Sequence, residues 1–457
     1  MRLPRLASPA LLATAIAMAS AAPVFAQTPP AAGNPLFTHV FAADPSAHVW
    51  PGDDRLWLYT SNDVPGTNTH ATMDGYHVFS TRDLVNWTDH GRVLHLDQVP
   101  WAISHMWAID AILWKGTYYL VYCAKERETG MFRTGLATSD RPEGPFTDIG
   151  FIQGVNWGQD PSVIVGDDGH PYLFWGAGGG CEAVRLTDDL RSAVPETRVK
   201  LTDQLPEFFE GPWVHRYKGK YVLSYPGLPE GKWPQHMYYA FADQPLGPYT
   251  YQGKYMAGFP GMSGTNHGSI IQYKDHWIFF YHGARGPGAA GQSRTVMADF
   301  IQPDADGKLP LIAPSDAGIT GGRPARITFL LEAENGAAAG GRLDSAAVAS
   351  TLPGYSGRGY VTGFDRKHGF VEVLALTGNP GTYRLSVRYQ SPTDAKANLR
   401  VNAHERKDVA FPRTESFTTL DLGTVKLHAG ENRVRVINEA ARLPDLAIDA
   451  FLLELQP

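Results

Sequence analysis

Over residues 34–313 the chain is a succession of short apolar runs broken by turn residues. Five segments share one layout: a polar residue, a strand, a tight turn, and a second strand that ends in an aromatic. They are DPSAHVWPGDDRLWLY (44–59), DAILWKGTYYLVY (110–122), DPSVIVGDDGHPYLFW (160–175), EGPWVHRYKGKYVLSY (210–225) and HGSIIQYKDHWIFFY (267–281). Their closing aromatics, Tyr59, Tyr122, Trp175, Tyr225 and Tyr281, are 63, 53, 50 and 56 residues apart. GDD, KG, DDG, KG and KD between the strands are hairpin-turn sequences. A later element also recurs, as NWTDHG (86–91), DRPEGPFTDIG (140–150) and DQPLGPYTYQG (243–253). Five repeats of four short strands predict an all-β fold, a five-bladed β-propeller over 34–313.

After it, PSDAGITGGRPARI (314–327) reads as a Gly/Pro-rich linker. Residues 328–457 alternate apolar and polar positions in TYRLSVRYQS (382–391), ANLRVNA (397–403), NRVRVIN (432–438) and AIDAFLLEL (447–455), which predicts a separate, jelly-roll-like β-sandwich. Residues 1–26 read as a secretory signal peptide. Arg2 and Arg5 precede an apolar stretch from Pro9 to Pro23, and Val24-Phe25-Ala26 forms a small-x-small cleavage site. A secreted or periplasmic protein follows from it. In such a compartment Cys123 and Cys181 either pair or stay as buried thiols.

Composition narrows the function. The chain has 457 residues, 48 Gly, 34 Pro and 52 aromatics, which suits a turn-rich β protein and excludes disorder for its bulk. A net charge of −6 without a Lys/Arg run argues against a nucleic-acid partner. No later stretch is long and apolar enough to span a bilayer, so no membrane partner is expected. Two cysteines make neither a disulfide scaffold nor a cysteine-based zinc site.

In a propeller the first strand of each blade lines the central axis. The five strand heads are Asp44, Asp110, Asp160, Glu210 and His267, each 12 to 15 residues before its closing aromatic. Carboxylates converging on one axis repel each other unless they serve a purpose. Paired carboxylates in an aromatic-lined pocket are the apparatus of glycoside hydrolysis, one ionised and one protonated. Trp50, Trp107, Trp157, Trp175 and Trp213 stand next to the strand heads, as sugar-stacking walls or as propeller core.

At these residues the chain resembles glycoside hydrolase family 43, through NPLFTHVFAADPSAHVW, MWAIDA, EGPW and TNHGSI. The resemblance implies an inverting hydrolase with Asp44 as general base, Asp110 as the pKa-modulating and orienting carboxylate, and Glu210 as general acid. His267 would sit under the sugar and help hold a central calcium ion or water cluster. Arg294 would contact substrate, and Asp160 matches no member of the triad and is left a structural or binding role. The implied substrates are xylo- or arabino-oligosaccharides or arabinoxylan, cleaved in the manner of a β-xylosidase or α-L-arabinofuranosidase. No organic cofactor is implied. Two rival readings are a retaining, invertase-like furanosidase and a non-catalytic glycan-binding propeller.

The C-terminal segment resembles carbohydrate-binding module family 6 through LEAEN (331–335), YSGRGYV (355–361) and AIDAFLLE (447–454). That resemblance implies a structural Ca²⁺ on Glu332, Glu334 and Asp449, and a sugar ring held between Tyr360 and Phe417. A module that only braces the propeller is the alternative.

Overall fold

The computed structural model describes residues 33–336, 341–364, 366–438, 443 and 445–456. The expected signal peptide, 1–26, lies outside them. Blade one comprises Ala42–Val49, Leu56–Asn62, Gly75–Thr81 and Asn86–His95. Blade two comprises Ile109–Trp114, Thr117–Glu126, Phe132–Ser139 and Thr147–Phe151, with Ala102–Ser104 added at its edge. Blade three runs Ser162–Val165, Pro171–Ala177, Gly180–Arg185 and Val199–Lys200. Blade four runs Trp213–Tyr217, Lys220–Gly227, His236–Ala242 and Thr250–Met256, and blade five Ser269–Tyr273, His276–Gly283 and Thr295–Phe300. The five inner strands touch one another in a closed ring.

The strands bury both faces because every blade is pressed between two others. Leu56 and Leu58 pack on Ile278 and Phe280 of blade five, while the alternate residues Trp57 and Tyr59 pack towards Leu120 and Tyr122 of blade two. Ala111 and Ile112, adjacent in sequence, likewise belong to the cores on opposite sides of blade two. Each buried large side chain contributes roughly 1.5–3 kcal/mol, so the aromatic richness of the chain supplies the inter-blade cores. The hairpin turns behave as their sequences require: Lys115-Gly116 and Lys218-Gly219 all have positive φ. Closure comes from the start of the described chain. The Leu36 N–H donates to the Val296 carbonyl (2.8 Å), and the Asn34 side chain exchanges hydrogen bonds with the backbone of Ala298 (3.1 and 3.0 Å).

The C-terminal strands form two facing sheets around one core that includes Phe329, Val373, Leu385, Val436 and Phe451. Its first strand, Arg326–Glu332, pairs antiparallel with the last, Ala447–Leu455. The same first strand pairs in parallel with Asn86–Asp89 on the outer edge of blade one, so a single sheet runs from propeller into sandwich. The connector 314–327 is docked rather than free: Ile319 and Thr320 are buried, and the Asp316 carbonyl accepts the Asn34 N–H. Cys123 and Cys181 are buried free thiols in different blades and do not pair. No helix among the described residues is long and apolar enough to cross a membrane.

Candidate active site

At the axis a cavity of about 440 Å³ is lined by Asp44, Asp160, Glu210, His267, His282 and Arg294, with Trp107, His70 and Met73 on its wall. Asp160, Glu210 and His267 come from the loops that enter inner strands, Asp44 from within one, His282 from the end of a second strand and Arg294 from just ahead of a third. Asp44 lies in a bulge between Ala43 and Ser46, and both Asp44 (φ 51°) and Asp160 (φ 52°) have a left-handed backbone. Such strain in non-glycine residues costs about 1–3 kcal/mol and gathers at functional sites. Gly211, following Glu210, also has positive φ, and a Cβ there would meet the His267 ring at 3.1 Å. Glycine thus lets the imidazole lie against the backbone beside the acid.

Asp44 is the most heavily supported of the three carboxylates. Its Oδ1 is 3.2 Å from Arg294 Nη1, 3.3 Å from His282 Nδ1 and 3.8 Å from His267 Nδ1. The Ser61 hydroxyl donates to its Oδ2 (2.5 Å), and its own backbone N–H donates to His282 Nδ1 (3.1 Å). Burial pushes Asp44 upward, but Arg294, with His282 and His267, holds it well below the usual carboxylate range. Arg294 is clamped in turn by Asp63, which accepts from Nε (3.0 Å), Nη2 (2.8 Å) and the backbone N–H (2.7 Å).

Glu210 goes the other way. Burial, with the Asp44 charge, pushes it up to about 7, against a hydrogen bond donated by Gln235 Nε2 (2.7 Å). Asp160 is also raised well above its ordinary value, by burial and then by the charges of Glu210 and Asp44. Burial lowers His267 to about 4, so its ring is neutral at pH 7. One cavity therefore holds an ionised carboxylate and a protonatable one, the division of labour that acid–base cleavage of an acetal needs.

Asp110, expected in the triad, does not line this cavity. Its carboxylate is buried below, where it accepts from Ser46 Oγ (2.8 Å) and the Val163 N–H (2.7 Å) and meets His48 Nε2 (2.8 Å). It stitches blades one, two and three together. The reason is register. Asp110 follows Ile109, the residue paired with Tyr122, whereas Asp44 stands two places before Ser46, the residue paired with Tyr59, and Asp160, Glu210 and His267 precede their strands altogether. Blade two presents Trp107 and Ala108 at the cavity instead. The signal was in the spacing: 12 residues from Asp110 to its aromatic, against 14 or 15 for the other four heads. Asp160-Pro161-Ser162 also repeats Asp44-Pro45-Ser46. Asp63, His282 and Gln235 carried no comparable mark.

The tryptophans divide. Trp107 lines the cavity, with its Nε1–H on the His70 carbonyl (2.9 Å). Trp50, stacked on His48 at 4.6 Å, and Trp213 are core. Trp175 is also core, and its edge together with the exposed Trp157 lines a second depression over blade three.

In the sandwich, Glu332, Glu334 and Asp449 gather around Ser356–Arg358. Ser356 Oγ donates to Glu332 (2.7 Å) and Asp449 (2.9 Å), and the Arg358 N–H donates to Glu334 (2.7 Å). Burial and mutual repulsion push Glu332 up to about 8, and burial chiefly pushes Glu334 up to about 7. The carboxyls of Glu332 and Glu334 converge on Gly357, where a Cβ would fall within 3.1 Å of both, and Glu334 Oε2 is buried without a partner. This donor chemistry suits a hard cation such as Ca²⁺. Asp449, however, is paired with Arg388, and among the described residues no group of three or more His, Cys, Asp or Glu side chains is arranged to hold a metal. The expected ligand sets, His267 at the axis and Glu332, Glu334 and Asp449 in the sandwich, are therefore not assembled as such. Tyr360 and Phe417 also depart from expectation. Their rings lie 5.4 Å apart at 54°, and Tyr360 is buried. A sugar stacked between two faces needs about 7–8 Å, so the rings touch each other and leave no slot.

Residues 32–309 match the model for glycosyl hydrolases family 43. A xylosidase/arabinosidase 43A of Humicola insolens is 34% identical over 329 residues, covering 60% of this chain and 98% of the relative. A family 43 β-xylosidase/α-arabinofuranosidase from a compost metagenome, solved with xylotriose in a calcium-free form, superposes with a TM-score of 0.55 at 31% identity, covering 62% of this chain and 97% of that one. An arabinoxylan arabinofuranohydrolase structure from Bacillus subtilis shares the fold over 93% of this chain and 98% of its own, with a TM-score of 0.57 at 23% identity. The chain belongs to glycosyl hydrolase family 43 and is a glycosidase. Its sandwich, residues 332–443, matches carbohydrate binding module family 35 and not family 6. LEAEN and AIDAFLLE lie at the paired first and last strands, and such short stretches do not separate one sandwich module from another.

Proposed function

We propose that the protein is an exported, inverting glycosidase that releases xylose or arabinofuranose from xylo- or arabino-oligosaccharides or arabinoxylan. The observation that carries the mechanism is the opposite displacement of Asp44 and Glu210 within one cavity. Asp44, held ionised by Arg294, takes a proton from water as the water oxygen bonds the anomeric carbon. Glu210 gives its proton to the glycosidic oxygen as that bond breaks, and the sugar leaves with inverted configuration. Asp160, rather than Asp110, is the third carboxylate. Burial and the neighbouring Glu210 and Asp44 charges raise it well above its ordinary value, which places it close enough to Glu210 to act on the acid's charge. His267 and Trp107 form the neutral and aromatic surfaces against the sugar. With Asp449 engaged by Arg388, Glu332 and Glu334 would be left to hold a calcium ion in the sandwich, and the ion would neutralise their charge. Export rests on the leader pattern of residues 1–26.

The sugars named for the similar proteins support the choice of xylose and arabinofuranose. The test is a panel of nitrophenyl β-xyloside, α-L-arabinofuranoside and galactofuranoside, with proton NMR of the first-formed anomer. Cleavage of either pentoside with inversion is the expected result. Retention of configuration would favour the invertase-like mechanism, and no cleavage of any glycoside would favour a binding propeller.

A further inference from the structure

The geometry points to the depression over blade three as the seat of the leaving-group part of the substrate, with Trp157 as its stacking platform. The inference rests on the assignment of Glu210 as the acid, because the acid must stand beside the oxygen that joins sugar to leaving group. The chain beyond that oxygen has to depart past whatever flanks Glu210.

One flank is blade three. The Gly211 N–H donates to the Gly176 carbonyl (3.2 Å), and the Gly179 N–H donates to the Phe209 carbonyl (2.9 Å). The segment carrying Glu210 is thus fastened directly to the floor of the depression. Gln159 lines both this depression and the catalytic cavity, so the two adjoin at that residue. Its floor, Gly176, Ala177, Gly178 and Gly180, carries almost no side chain. Trp175 forms the inner wall, held by its Nε1–H on the Asn156 carbonyl (3.2 Å) and covered on one side by the Arg198 guanidinium (5.6 Å).

Trp157 is the feature that folding does not explain. It is 67% exposed and its backbone has φ 56°. An indole displayed to water on a strained backbone is doubly unfavourable unless something covers it. The flat, side-chain-poor floor, the free indole and a rim of Glu182, Arg198 and Lys200 suit the alternating C–H faces and hydroxyls of a sugar chain. Arg198 and Lys200 already face Glu182 (3.6 Å) and Asp203 (3.5 Å), so the rim offers hydrogen bonds rather than an uncompensated charge. The other flank of Glu210 carries Trp233, 53% exposed and edge-on to Phe209 at 5.4 Å, which makes it the natural control.

The experiment compares kcat/KM on a nitrophenyl pentoside with kcat/KM on the matched disaccharide and tetrasaccharide, for the full-length protein and its Trp157→Ala, Trp157→Phe and Trp233→Ala variants. In the unaltered protein kcat/KM rises from disaccharide to tetrasaccharide. Trp157→Ala loses about tenfold on the tetrasaccharide, the worth of one stacked ring, and much less on the nitrophenyl pentoside. Trp157→Phe restores most of the loss, and thermal melts of the variants match the parent because the indole is exposed. An undiminished tetrasaccharide rate in Trp157→Ala, equal losses on both substrates, or a chain-length effect carried by Trp233→Ala would overturn the inference while leaving the function intact. A parent protein silent on every pentoside would overturn the function itself, and this inference with it.

Discussion

The Asp44 carboxylate lies 3.2 Å from the guanidinium of Arg294, a residue 250 positions further along the chain. Blade one thus supplies the proposed base, and the last blade supplies the charge that favours its ionised form. Asp63, immediately after the second strand of blade one, completes the arrangement by gripping Arg294. Arg294, with His282 and His267, holds Asp44 well below the usual carboxylate range in spite of its burial.

Removing Arg294 should therefore expose the burial effect on Asp44. In Arg294→Met the base takes up its proton at a higher pH, and the acid limb of the kcat/KM profile moves upward. Turnover at neutral pH falls by roughly 10²-fold or more, as expected for loss of a group acting on the catalytic base. Asp63→Asn should move the limb the same way by less. A pH–rate profile checks both, and an unmoved acid limb would mean that Arg294 acts on substrate alone.

Activity should decline as pH rises through about 7, because Glu210 must keep its proton to act as acid. Gln235 donates to the charged form of Glu210 and so lowers its value. Gln235→Met should move the alkaline limb to higher pH. Glu210→Ala should lose far less on a dinitrophenyl glycoside, whose leaving group needs no proton, than on an oligosaccharide. Equal losses on the two substrates would remove Glu210 from the role of acid.

Asp160 and Asp110 should separate into chemistry and stability. Asp160→Asn should lower kcat by about tenfold or more while leaving Tm unchanged or higher, since an isosteric neutral group relieves a buried carboxyl beside two others. Asp110→Asn should lower stability by about 1–3 kcal/mol, because it weakens the bonds from Ser46 and Val163 that join three blades. Tm and kcat measured together on both variants decide. The reverse pattern would restore Asp110 to the triad.

The sandwich should lose stability as pH rises. Glu332 at about 8 and Glu334 at about 7 keep protons in the folded state that the unfolded chain releases near 4.5. The folded state therefore binds more protons across that window, and the contribution declines from about pH 4.5 towards 8. Added Ca²⁺ should oppose the decline, and Glu334→Gln should both flatten it and weaken the Ca²⁺ response. Melting temperatures against pH, with and without Ca²⁺ or chelator, measure it. A pH-independent Tm difference between parent and Glu334→Gln would count against this cluster as its source.

Much of the active site was visible because a propeller writes itself as a repeat. A strand head ahead of each hairpin marks one position on the axis, so Asp44, Glu210 and His267 could be placed by counting. Asp110 could not, because counting back from Tyr122 tolerates an error of two or three residues, and that shift moves a side chain from the mouth of the axis to its interior. Asp63 and His282 sit near the ends of second strands, where nothing in the repeat distinguishes them. Tyr360 and Phe417 read as a pair that holds a sugar ring between them, but the 54° tilt that closes the slot depends on how the strand Tyr360–Thr362 meets the segment carrying Phe417.

The sequence by itself determined the periodic features: the strands, the hairpin turns, five blades, a second β unit and the acidic character of the axis. These follow from alternation and turn chemistry, which act over a few residues. Tertiary structure alone decided which carboxylates share a cavity, which of them is charged, and where a substrate chain can run. Those properties depend on groups up to 250 residues apart meeting within about 3 Å. Charge interactions at that range inside a dry core change steeply with distance, so a register shift of two residues, invisible to composition, exchanges a catalytic residue for a structural one.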